Sequence, residues 1–286
     1  MKIAALLRFF FCGFVATALS LAAHAQTQAG QIVAAKVEGQ VMRIAANGTT
    51  APVANGDRLA ESDTITTAKN SGIVLVFMNG STVKLGPESR LAVEEFKMDP
   101  LGADLEVAKL QAEPSVSKTT LNLSYGEMVG DVKKLNTAGG SSYNIKTPVG
   151  AAGIRGTIYR IVFRPASDGK AFFTVQTSEG RVVMQGVTAQ EIPVEAGKEV
   201  VVEVDVPETP GATTSPPNVV TNNLAPETQA AINNEVQVIT QALQTVVIPP
   251  APPAPAQTPP TTPPPEPPAP LPPTTPPVSV TPGAGL

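Results

Sequence analysis

Turn signals interrupt residues 32–204 at intervals of roughly 8–12 residues, and the stretches between them are short, β-branched and apolar. That spacing leaves little room for helices. It restricts the region to an all-β arrangement: a sandwich, a barrel or a solenoid-like stack. Asn47-Gly48 and Asn79-Gly80 are strong hairpin signals, and Gly56-Asp57, Glu179-Gly180 and Ala196-Gly197 mark further reversals. Ile73, Val74, Leu75, Val76, Phe77 and Met78 form an unbroken apolar run, which predicts a strand covered on both faces. Alternation returns in Thr82-Val83-Lys84-Leu85. Leu121-Asn122-Leu123 and Met128-Val129-Gly130-Asp131-Val132 read as two strands with a Tyr125-Gly126 turn between them, and residues 104–110 fit either a short helix or an edge strand.

The centre of this region is Thr147-Pro148-Val149-Gly150-Ala151-Ala152-Gly153-Ile154-Arg155-Gly156-Thr157, followed by an apolar strand to Phe163. Glycine tolerates positive φ and close backbone approach, so Gly150, Gly153 and Gly156 read as one compact connection. Arg155 is the single charge inside it. The structural reading gives its five-donor guanidinium the task of bonding carbonyls that the turn leaves unpaired. A functional reading makes the turn's N–H groups an anion-binding concavity beside Arg155. The glycine spacing is not the dinucleotide fingerprint, and no helix follows it. Thr147, Pro148, Arg155, Gly156 and Thr157 are the candidate structural or interaction residues.

These residues also carry a resemblance. Thr147-Pro148 followed by Ile154-Arg155-Gly156-Thr157 and an apolar strand is similar to the signature of the FecR-like domain family. Upstream, Gly56-Asp57-Arg58-Leu59 with Asp63-Thr64-Ile65-Thr66-Thr67, the 73–81 run, and Leu85-Gly86-Pro87-Glu88-Ser89-Arg90-Leu91 resemble that family's first half, in order. The resemblance covers roughly residues 37–204. It implies an elongated, stacked all-β form, solenoid-like or sandwich-like, and the habit of binding another envelope protein. In the family's signalling members the domain is the extracytoplasmic part of a membrane-spanning anti-sigma regulator. This chain shows neither a cytoplasmic helical segment before its first apolar run nor a lasting membrane span.

Lys2 and Arg8 flank a short apolar run, and Ala23-His24-Ala25 fits a small-x-small cleavage site, so residues 1–25 read as a secretory signal peptide. Cys12 follows three phenylalanines where a lipid-attachment site wants small residues, which disfavours lipidation. Export matters chemically, because Cys12 and His24 are the only cysteine and the only histidine. A chain starting near Gln26 has no thiol, imidazole or disulfide, which excludes Cys or His metal sites and Cys-His or Ser-His-Asp catalysis. Loss of Lys2 and Arg8 takes the formal charge from −4 to −6, against nucleic acid or an anionic membrane as partner. Lys133-Lys134 reads as a solvated loop. Glu94 and Glu95 are adjacent and point to opposite faces of a strand, so they are no acid/base pair. Asp57 and Asp63 lack calcium-loop spacing and fit turns. No catalytic residue, metal or cofactor is expected.

The all-β domain is assigned to residues 32–206 and a Pro/Thr/Ser linker to 207–225. An amphipathic helix over 226–248 starts with Pro226 and carries the seam Ile232, Val236, Ile239, Leu243 and Val246. The seam fits packing on the β domain or a short coiled coil between copies. Thirty prolines in the chain, clustered beyond residue 249, predict a disordered, extended tail over 249–286. The expectation is a non-enzymatic, exported protein of a Gram-negative envelope, periplasmic or at the cell surface. It would act in protein–protein interaction, signalling or scaffolding. A cell-wall or envelope-glycan adaptor is the alternative, although there is no tryptophan for stacking.

Overall fold

Short β-branched runs separated by turn residues can satisfy their backbone groups only by pairing with one another, and here they pair throughout. The computed structural model describes residues 28–99, 106–166, 169–205 and 215–245. The strands are β1 (Gln28–Ala29), β2 (Ile32–Glu38), β3 (Val41–Ile44), β4 (Thr50–Pro52), β5 (Arg58–Leu59), β6 (Thr64–Thr67), β7 (Gly72–Phe77), β8 (Thr82–Leu85) and β9 (Ser89–Met98). They continue as β10 (Ser117–Asp131), β11 (Ser142–Thr147), β12 (Gly150–Ile154), β13 (Ile158–Pro165) and β14 (Lys170–Glu179). β15 (Arg181–Gln185), β16 (Ile192–Glu195), β17 (Lys198–Asp205) and β18 (Asn218–Asn223) complete the set, and one helix follows, α1 (Pro226–Thr245). The expected signal peptide, residues 207–214 of the expected linker, the end of the 226–248 helix and the proline-rich tail lie outside the described residues. The rest of the expected linker is described, and its residues 218–223 form β18, paired with β17, rather than an unstructured connection.

The ladders resolve into two layers. One has the order β4–β3–β6–β9–β10–β11–β12–β15–β16, with β1 beside the far end of β9. The other runs β5–β2–β7–β8–β10–β13–β14–β17–β18. β4, β5, β16 and β18 each have one neighbour, so neither layer closes into a barrel. The all-β expectation is met, in a sandwich-like form.

β10 belongs to both layers. Its first half pairs with β9 and β11, and residues 126–131 pair with β13 while residues 128–131 pair with β8. The crossing falls at Tyr125-Gly126, where a turn between two strands was expected; the chain bends there without reversing. Gly126 has φ +109°, and a Cβ on it would lie 2.1 Å from Ser89 Oγ, so only glycine fits the corner. The chain then returns from the end of β10 to its start, which is why β10–β11 is the one parallel pair among the described strands.

Side chains of both layers meet in one core that includes Ile32, Leu75, Phe77, Phe96, Leu121, Tyr143, Tyr159 and Phe173. Phe77 and Phe96 pack edge to face at 5.0 Å and 86°. Tyr143 and Tyr159 are fully buried, and neither hydroxyl has a partner of hydrogen-bond geometry. Burial raises both phenols above the ordinary 10.0.

β7 is buried at every position, as its unbroken apolar run predicts. Ile73, Leu75 and Phe77 enter the main core, whereas Val74 and Val76 join Ala35, Val129 and the α1 residues Ile232, Ile239 and Ala242 in a second cluster. The helix seam therefore packs on the chain's own β domain. Lys84 on β8 pairs with Glu235, fixing the helix at its middle. Residues 107–109 form a single 3-10 turn under the helix. Among the described residues no helix is long and apolar enough to cross a membrane.

Candidate functional site

The glycine-rich centre is not one compact connection but two turns with a strand between them. Thr147 ends β11, Pro148-Val149 turn, β12 occupies residues 150–154, and a second turn at Arg155-Gly156 leads into β13. The three glycines do separate jobs. Gly150 lies against β15, where a Cβ would approach Gln185 O to 2.9 Å. Gly153 has ordinary room. Gly156 alone has positive φ, +66°, and lies close over Lys134, whose Cα would be 3.2 Å from an added Cβ. The periodic spacing suggested one device because sequence cannot show that five of these residues pair with β11 and β15.

The candidate residues divide accordingly. Thr147 donates its hydroxyl to Gly150 O at 2.9 Å and closes the first turn, with Pro148 exposed beside it. Thr157 is buried and ties three strands. Its backbone exchanges both hydrogen bonds with Val132, at 2.9 and 3.0 Å. Its hydroxyl donates to Arg181 O at 3.0 Å and accepts from Arg181 N at 3.3 Å. Arg155 overturns the structural reading made of it. Its side chain is exposed and makes no hydrogen bond or ion pair among the described residues. On either side of the turn, β12 is laddered to β11 and β15, and Thr157 O accepts from Val132 N.

Arg155 borders two clefts. One, of about 560 Å³, is lined by Lys133, Lys134, Arg155, Asp131 and Glu179, with Gln111 and Gly156 between them. Lys133 and Asp131 neutralise each other at 2.7 Å. Lys134 is exposed, and its side chain, like that of Arg155, has no partner among the described residues. The other cleft, of about 220 Å³, presents Ser141, Ser142, Asn144, Gln185 and Glu191. A guanidinium offers up to five donors in a plane, and here it sits between hydroxyls and amides on one side and ammonium groups on the other. Such a surface suits carboxylates and backbone carbonyls of another polypeptide, and its mixed, open lining is that of a contact surface rather than an enclosed pocket. Among the described residues no group of three or more carboxylate, imidazole or thiol ligands converges.

Lys133 and Lys134 were read as a solvated doublet. The signal that joins them to Arg155 is the register of β10 with β13 and the Val132–Thr157 bonds just beyond it, which bring residues some twenty positions apart side by side. Asp57 and Asp63 do serve turns, accepting from Ala54 N and Ala60 N, each at 2.8 Å.

An all-β domain with two open polar clefts beside Arg155 is the class defined by this geometry. Residues 63–183 of this chain match the family model described as FecR protein, and the match includes the Arg155 turn. The chain is also similar to two crystal structures of a "putative anti-sigma factor" from Parabacteroides distasonis ATCC 8503, each at 11% identity and TM-score 0.37. The alignment covers 56% of this chain and 59% of that one, so the chain spans under two thirds of the protein it matches. No curated protein matches it.

Proposed function

We propose that the chain is a non-enzymatic, exported envelope protein whose FecR domain binds another polypeptide through the surface around Arg155, in signalling or scaffolding. The observation that carries this reading is Arg155 itself: an exposed guanidinium, unpaired among the described residues, held at a glycine turn between two polar clefts. Arginine is enriched where interfaces concentrate their binding energy. The FecR match supports a regulatory rather than a catalytic role. The signal peptide brings the domain into the envelope, and the proline-rich tail acts as a spacer beyond the helix.

A photo-crosslinking residue at exposed Gln111, which lines the larger cleft with Arg155, tests this in intact cells, with a second at Phe172, toward the far end of β14 from that cleft, as control. The expected result is a discrete protein adduct from position 111 alone, lost by competition with the unmodified chain and spared by competition with its Arg155→Ala variant. Adducts to cell-wall glycan only, or equal adducts from both positions, refute it.

A further inference from the structure

The four outermost strands of the two layers are not alike. β4 is three residues long and contains Pro52; β5 has two residues; β16 contains Pro193 and ends in Glu195. Short length, proline and charge are the devices by which sheets keep an edge from pairing with another chain. β18 has none of them. It is six residues, Asn-Val-Val-Thr-Asn-Asn, with no proline, no charge and no register shift against β17.

Its free side can be read from the ladder. Leu224 N donates to Gly197 O, and those two residues continue the β17–β18 register as a hydrogen-bonded pair. Bonded pairs alternate along an antiparallel ladder, so Asn218, Val220 and Asn222 bond to β17. Val219, Thr221 and Asn223 point their N–H and C=O groups at the open edge. Among the described residues no backbone group bonds them. Two of the three exposed large hydrophobic residues among the described residues, Val220 and Phe172, lie on the outer face of this end of the layer.

We infer that β18 pairs antiparallel with β18 of a second copy of this chain, about a two-fold axis through Val220 perpendicular to the sheet. Side chains opposite each other in an antiparallel pair share a face, so the two layers continue across the junction only if odd residues meet odd ones. The Val220 axis meets that condition. It sets Val219 against Thr221 of the second copy, with their outward N–H and C=O groups bonded. Val220 meets its own counterpart in a non-bonded pair, where side chains are closest. Asn218 meets Asn222, and no like charges are opposed although the chain is acidic overall. The chain's own proline-rich tail is a poor occupant, because proline has no N–H to give the ladder.

The test uses the full chain with Cys12→Ser, which removes its only cysteine. Val220→Cys places two thiols across a non-bonded pair, where a Cα separation of about 4.5 Å lies within disulfide range. Oxidation is expected to give a covalent dimer from Val220→Cys and none from Phe172→Cys, which sits two strands away. Light scattering is expected to give twice the 29.5 kDa chain mass for the unsubstituted protein. Thr221→Pro removes an N–H that faces the open edge and none that bonds β17. It is expected to weaken the dimer about tenfold or more with an unchanged melting midpoint. A monomeric unsubstituted chain, a Val220→Cys protein that stays unlinked or links only to a different protein, or a Thr221→Pro protein that dimerises as before overturns the inference.

Discussion

Gly130→Ala tests the contact that holds the Lys134 and Arg155 segments together. Gly130 lies opposite Tyr159 in the β10–β13 ladder, with the tyrosine ring across it. A Cβ at residue 130 would sit 2.3 Å from Tyr159 Cζ and Oη and 2.6 Å from Cε1. That is more than an ångström inside carbon–carbon contact, and the ring, fully buried in the core, has nowhere to retreat. The cost belongs at the upper end of overpacking, about 3 kcal/mol. In a domain of this size that is a fall of roughly 6–12 °C in melting midpoint. Tyr159→Leu alone leaves a cavity and costs about 2–4 kcal/mol, although it also removes a hydroxyl without a partner. If the two effects share one contact, the double substitution is less damaging than their sum by about 1–3 kcal/mol. Urea unfolding of the four proteins measures this. Additive losses, or a Gly130→Ala protein as stable as the original, would refute the reasoning.

Four further outcomes are expected. Gly156→Val should destabilise the domain by about 2–3 kcal/mol in urea unfolding, since a β-branched residue resists φ of +66°. Ile239→Ala, beneath α1, should cost about 2–4 kcal/mol, while the same change at exposed Gln237 should be nearly neutral by thermal melting. Lys146, bonded to Glu94 at 2.7 Å, and then the Asn122 amide hold the Glu94 carboxyl below its ordinary 4.5. Its contribution is present above that value and lost as pH falls through the depressed one. Glu94→Gln should therefore flatten the acid limb of the stability profile, by well under ~1 kcal/mol because the pair is solvent-screened. For Tyr143 and Tyr159 the sign is opposite: their neutral forms are favoured by burial, so that stability is present below pH 10.0 and lost above it. In an ultraviolet titration both should ionise only together with unfolding.

Much of the architecture was legible because it is local. Alternation, Asn-Gly turns and aspartates beside turn glycines specify strands and reversals within a few residues of themselves. The doubly apolar β7 announced a cover on each face, and the 4-3 spacing of Ile232, Val236 and Ile239 announced a helix with one side to bury. What escaped depends on residues far apart in the chain. Tyr125-Gly126 has the composition of a turn, yet Ser89, from a different strand, makes it a corner between layers. Arg155 looked like a brace for its own turn, yet its exposed side chain bonds no carbonyl among the described residues and faces the clefts instead. The meeting of Lys134 with Arg155 and the open side of β18 are set by register, a relation between strands that no single stretch of sequence contains. Side-chain periodicity thus determined which segments are strands, and tertiary pairing alone decided which of their edges and charges remain free to meet a partner.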